Sequence, residues 1–339
     1  MTAYFRPIAR TDPARPAEAR WLAGGWTWFS EVEEMTRGGG RRLMPVSDLP
    51  AEVLEALTVR RAPVAGLTMD RPRLMGILNV TPDSFSDGGL FERPGAALDH
   101  AGALIAGGAD ILDIGGESTR PGAREVPAEE ETQRTAPVIA ALRAEGQGVP
   151  ISIDTRKAGV ARAALAAGAD LVNDVAALTF DPALAGVAAE AGAPLVLMHA
   201  QGAPETMQQD PRYDDVLLDI YDYLAERVAA AEAAGIARAR IVVDPGIGFG
   251  KTKEHNLALL RGLSLFHALG CPVLLGASRK RFIGTIGNAP EARDRAPGSI
   301  AVALAAAAQG VQILRVHDIA ETRQALCLAE ALWTREERP

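Results

Sequence analysis

The chain has 339 residues, 48% of them hydrophobic and 23% charged, with a formal net charge of −8. This balance excludes a disordered chain, and an acidic sequence without a long basic run excludes nucleic acid as a partner, since a phosphate backbone needs clustered Lys and Arg. No stretch approaches the ~20 uninterrupted apolar residues of a membrane span, so no membrane partner is expected, and any anion site must be local.

The N-terminal residues 1–70 read differently from the rest. Trp21, Trp26 and Trp28 cluster, Gly38, Gly39 and Gly40 follow, and a helix-like stretch runs from Leu49 to Leu57. With no titratable groups gathered at strand ends, this segment is expected to be a small extension, a structural cap or oligomer contact. Residues 71–339 form the second unit. There, short β-rich runs alternate with Ala-rich stretches, the pattern of βαβ units and a parallel sheet.

The strands fall at Leu74–Val80, Ile111–Gly115, Ile151–Asp154, Leu171–Asp174, Pro194–His199, Ile241–Asp244, Pro272–Gly276 and Ile313–Val316. Helices are expected at Ala96–Ala106, Glu129–Arg143, Ala158–Ala167, Pro182–Ala191, Val216–Ala234, His255–Leu263, Ser299–Gln309 and after Asp318. Glycines such as Gly108, Gly168 and Gly192 then cap helices before the next strand. Eight such units predict an α/β fold of the (β/α)8 TIM-barrel type with a small N-terminal extension; six or seven would also fit an open doubly wound sheet.

In a barrel the chemistry gathers at the C-terminal ends of the strands. The residues there are Asn79, Asp113, Asp154, Asn173 with Asp174, His199, Asp244, Ser278 with Lys280, and Arg315 with His317. One such residue would ordinarily be a helix cap or a packed polar group. A polar residue at every strand end is different, because converging buried acids need a hydrogen-bonding or cationic ligand to justify their desolvation. Arg315, flanked by Ile313, Leu314 and Val316, reads as an anion-binding residue; Arg279 and Arg281 fit a solvated charge run equally well.

The glycine-rich run Asp244 to Thr252 superficially suggests a phosphate loop, but Pro245 stands where the leading glycine of that motif belongs. Its glycines are expected instead to let backbone approach a flat ligand. The cysteines Cys271 and Cys327 lack disulfide or metal spacing, so both are expected to be buried packing residues of a cytoplasmic protein.

Met75 to Gly89 reads MGILNVTPDSFSDGG, Asp113 to Gly122 DIGGESTRPG, Asp244 to Lys251 DPGIGFGK, Gly276 to Gly284 GASRKRFIG, and Arg315 to Asp318 RVHD. From Leu74 onward the chain resembles the dihydropteroate synthases, a family of pterin-binding barrels. The resemblance implies that p-aminobenzoate is joined to 6-hydroxymethyl-7,8-dihydropterin pyrophosphate in a homodimeric enzyme inhibited by sulfonamides. By the same likeness, Asp154, Asn173, Met198, Asp244, Phe249, Gly276 and Lys280 would bind pterin. Asn79 would help hold the Mg²⁺ that accompanies the diphosphate, and Arg315 with His317 would grip the diphosphate itself. Loops carrying Asp83, Phe85 and Asp87, and Ser118, Thr119, Arg120 and Pro121, would close over p-aminobenzoate, and Ser278 and Lys280 would complete that pocket. Ala200 stands where the family often has a larger apolar residue.

That reaction asks a neutral aryl amine to displace diphosphate from a methylene on an electron-rich ring, which needs no strong base. Mg²⁺, Arg315 and His317 would stabilise the leaving group, and Asp113, Asp154 and Asp244 the developing cation, making Asp113, Lys280, Arg315 and His317 the catalytic set. A methyltransferase on the same barrel, or an idle pterin-binding relative, would share the fold.

Overall fold

A computed structural model describes residues 3–80, 94–118, 123–202 and 206–333. Eight parallel strands form the central sheet: β1 (Arg73–Asn79), β2 (Ile111–Gly115), β3 (Ile151–Asp154), β4 (Leu171–Asp174), β5 (Leu195–Met198), β6 (Ile241–Asp244), β7 (Leu274–Leu275) and β8 (Ile313–Val316). They pair in sequence, β8 returns to β1, and a parallel bridge between Val243 and Val273 closes the sheet into a barrel. The open doubly wound alternative is thereby excluded.

Around it stand α1 (Pro94–Ala106), α2 (Ala128–Ala144), α3 (Ala158–Ala166), α4 (Ala183–Ala191), α5 (Val216–Ala233), α6 (Lys253–Arg261), α7 (Ala296–Ala307) and α8 (Ile319–Trp333). The strands and helices read from the sequence are all present, with ends moved by a few residues. An additional short helix, Arg281–Gly287, lies on the connection after β7. No helix among the described residues is long and apolar enough to cross a membrane.

Because successive strand side chains alternate faces, each strand carries two populations. Leu74, Leu78, Leu112, Ile114, Ile153, Leu197, Val243 and Leu314 face outward and belong to the large core under the helices. Met75, Ile111, Leu171, Val196, Val242, Leu274 and Ile313 pack together inside the barrel. Two residues further along the same strands come Ile77, Asp113, Asn173, Met198, Asp244, Gly276 and Arg315. The period of two thus lifts a polar layer directly above an apolar one.

In the extension, strand Ala3–Pro7 pairs antiparallel with Glu31–Thr36, which pairs antiparallel with Arg41–Pro45. Gly38 and Gly39, at φ +101° and +93°, turn that second hairpin. Helix Ala51–Thr58 covers a small core containing Leu22, Phe29, Val32 and Leu57. Trp26 Nε1 donates to Ala307 O at 2.9 Å and Ser264 Oγ to Pro7 O at 2.8 Å, docking this layer on the barrel's outside. Val64 and Met69 then join the interior cluster, sealing the end of the barrel opposite the polar layer. Of the two cysteines, Cys271 is buried as expected, but Cys327 is exposed on α8, where the helix turns it away from the barrel.

Candidate functional site

The polar layer is one connected group. Register places Gly115 beside Asn79 and Asp154, and Asp154 beside Asn173. Arg315 reaches across from β8: its Nε donates to Asp113 Oδ2 and its Nη2 to Asp154 Oδ2 at 2.7 Å. Asn173 Nδ2 lies 3.3 Å from the same Asp113 oxygen. Asp113 is fully buried and Asp154 nearly so, yet Asp154 Oδ1 has no hydrogen-bond partner. A buried, unsatisfied carboxylate oxygen is a standing acceptor for a ligand N–H.

On the far side, Asp244 Oδ1 accepts from Gly246 N at 2.7 Å, while its Oδ2 faces the slot beside Gly276. A Cβ on Gly276 would sit 3.7 Å from both Asp244 Oδ2 and Arg315 Cδ, so the missing side chain keeps that slot open. Lys280 donates to Ile247 O and its Nζ lies 4.3 Å from the Phe249 ring centre, a cation–π contact. Met198 is buried beside the loop after β6. Ser278 Oγ lies 3.0 Å from His317 Nδ1 and accepts the His317 N–H at 3.2 Å, linking the ends of β7 and β8.

Burial controls the charges. It pushes the Asp154 carboxyl up, with Arg315 pulling it down and Asp113 adding to the rise. It also raises Asp244, against the Gly246 amide and Lys280. Burial lowers Lys280 to about 7, opposed by Asp244 and assisted by Arg315. For Arg315 burial works against the charge, but Asp113 and Asp154 more than offset it and hold the pKa above its usual value.

Several expectations need correction. His199 does not join the pocket: its Nδ1 lies 2.8 Å from Lys251 Nζ and its ring packs edge-on against Tyr223 at 4.7 Å. Burial, then Lys251, depress it to about 2, so it is neutral. Asp174 also points outward, accepting from Ala176 N and Leu178 N, because it is one residue out of phase with Asn173. Arg315 is embedded among the acids rather than set apart from them, and Arg279 pairs with Asp318 instead of standing in solvent.

Two of the glycines after β6 are required by backbone packing. Gly246 and Gly250, at φ +66° and +62°, lie where a Cβ would come 1.9 Å from His199 O and 2.6 Å from Gln201 O. Phe85, Thr119, Arg120 and Pro121, with Asp83 and Asp87, lie outside the described residues. Lys251, Glu117 and Lys157 had no role in the sequence reading although the first two stand inside quoted motifs; lysines and acids this close to strand ends were the available signal.

Among the described residues no group of three or more His, Cys, Asp or Glu is arranged to hold a metal. The donors near the end of β1 are the Asn79 amide oxygen and Asp154 Oδ2, which a Cβ on Gly115 would meet at 3.8 and 3.6 Å. Such a sparse oxygen set suits Mg²⁺, which keeps several waters and is commonly bound through substrate phosphates.

Residues 75–317 match the family described as pterin binding enzyme. The chain is 48% identical over 271 residues to the dihydropteroate synthase of Escherichia coli K12, covering 80% of this chain and 95% of that one. It also resembles the solved Xanthomonas albilineans dihydropteroate synthase with 4-aminobenzoic acid, at 49% identity and TM-score 0.76 over 81% of this chain and 98% of that one. The Yersinia pestis dihydropteroate synthase in a sulfonamide drug complex aligns at 47% identity and TM-score 0.75, covering 80% and 98%. With its polar layer set inside a closed barrel and these likenesses spanning nearly the whole of each relative, the chain belongs to the dihydropteroate synthase family of pterin-binding enzymes.

Proposed function

We infer that the chain condenses p-aminobenzoate with 6-hydroxymethyl-7,8-dihydropterin pyrophosphate, giving 7,8-dihydropteroate and pyrophosphate for folate synthesis. The observation that carries this reading is the single layer in which Asp113, Asp154, Asn173 and Asp244 face Arg315 and Lys280. The free Oδ1 of Asp154 and the Asp244 Oδ2 beside Gly276 suit the amino and ring N–H groups of a flat pterin, with Met198, Phe249 and Gly276 shaping the slot. Lys280, braced over Phe249, donates to the ring from the other side.

Arg315 and His317 would grip the diphosphate, and Ser278 would orient His317. As the methylene–oxygen bond breaks, the departing diphosphate takes the electron pair; the aryl amine then forms the carbon–nitrogen bond and loses a proton. Three acids around two cations leave the layer negative when all are ionised, a field that favours the transient pterin cation. Asn79 would help hold Mg²⁺, which when bound neutralises leaving-group charge. Phe85, Thr119, Arg120 and Pro121 are assigned to the p-aminobenzoate side, where sulfonamides would compete.

The exposed Leu328 and Leu332, one turn apart on the outside of α8, support a homodimer through outer helices. Two unpaired cysteines are in keeping with a cytoplasmic setting. The test is direct: purified protein with both substrates and Mg²⁺ should release pyrophosphate and form dihydropteroate in equal amounts, with a sulfonamide competing against p-aminobenzoate. Binding of pterin without turnover would leave only an idle pterin binder.

A further inference from the structure

Beside the rim lies a buried ion cluster that the chemistry above does not use. Lys157 Nζ donates to Glu117 Oε2 at 2.6 Å, to Glu131 Oε2 at 2.6 Å and to Val126 O at 2.7 Å, so each ammonium proton has a partner. Glu117 Oε1 accepts Arg156 Nη2 at 3.0 Å and Val126 N at 3.2 Å. The side chains of Glu117, Glu131 and Lys157 are 4%, 0% and 7% exposed. Burying ions this deeply is costly, and well-packed apolar residues are often as stable or more so; stability alone therefore explains the cluster poorly.

Its placement suggests a purpose. Glu117 stands two residues beyond β2 and Val126 two residues before α2, so one ammonium touches both ends of the segment 118–125. The first end is further fixed on α2: Arg134 Nη1 donates to Gly116 O at 2.7 Å, and a Cβ on Gly116 would meet Thr135 Cγ2 at 2.9 Å. Arg156 extends the tie to the loop after β4, stacking 4.0 Å from the Phe180 ring centre. Lys157 itself follows β3, whose last residue is Asp154 of the polar layer.

We propose that Glu117 and Lys157 form a clip that sets the take-off points of segment 118–125 relative to the polar layer, making them positioning residues for the aryl-amine substrate. This rests on the synthase reading, in which that segment faces p-aminobenzoate. Lys157→Met removes three donors at once, and Glu117→Gln keeps the shape while discarding the charge that receives Lys157 and Arg156. With the full-length enzyme, both variants should raise the KM for p-aminobenzoate about tenfold or more, leave the KM for the pterin pyrophosphate within about twofold, and bind pterin with near-unchanged affinity.

Equal changes in both KM values, or none in a variant that binds pterin normally, overturn the clip. If Lys157→Met does not fold, Glu117→Gln decides by the same ratio. Wild-type protein that never releases pyrophosphate sinks the synthase reading and the clip with it; wild-type turnover without the KM split sinks the clip alone.

Discussion

Arg315 is held by two carboxylates, so replacing it has two separable effects. Arg315→Met should lower kcat by about 10²-fold or more by removing a donor to the leaving diphosphate. It also leaves Asp113 and Asp154 buried without their cation, a change worth about 3–5 kcal/mol where a buried pair is broken. Steady-state kinetics beside thermal melts check both; an unchanged kcat contradicts the role. Lys280 gives a pH signature. Its folded pKa of about 7 lies below the ordinary lysine value, so the ammonium is lost early as pH rises, and the folded chain holds fewer protons than the unfolded one above about 7. Stability from this group therefore rises with pH through that window, whereas kcat/KM for the pterin substrate should fall on the alkaline side. Lys280→Arg, which stays charged, should move that limb upward. A limb that stays near 7 in the variant would assign it to another group.

Elements explain why the site was legible in part. Asp113, Asn173, Asp244 and Arg315 were legible as polar residues at the C-terminal ends of strands; the strand period, which sets each two residues beyond an apolar residue inside the barrel, is what carries them into one layer. The same rule, unused, would have excluded Asp174 and His199: each ends its run one residue out of phase and turns outward. What the pattern lacks is pairing across elements, so neither Arg315 between two acids nor Lys157 between two glutamates could be read from one strand at a time. The loop after β6 makes an element-scale prediction. Gly246→Ala places a Cβ against His199 O in a left-handed backbone, a strain of order 1–3 kcal/mol plus the displacement of the neighbouring loop. Its melting temperature should drop and its pterin affinity fall with it; a variant as stable as wild type would show that this loop yields easily.

For the whole molecule, the extension and the polar layer occupy different parts of the barrel. Val64 and Met69 close the end away from the layer, while Arg37 pairs with Asp219 and Asp222 on α5. Removing residues 1–60 keeps Arg61, Val64 and Met69 but uncovers the buried Leu263 to Leu269 segment. The truncated protein should melt at lower temperature with both KM values within about twofold of wild type, since loss of docked surface costs stability without touching the rim. A large KM change would place the extension in the catalytic machinery. The central claim is that pterin-binding acids and diphosphate-binding cations share one layer, and calorimetry with a bare pterin and with the pterin pyrophosphate tests it. Asp244→Asn should weaken both ligands about tenfold or more, whereas Arg315→Met should chiefly erase the extra affinity that the diphosphate confers. Unchanged pterin binding in Asp244→Asn, or an undiminished diphosphate advantage in Arg315→Met, would contradict it.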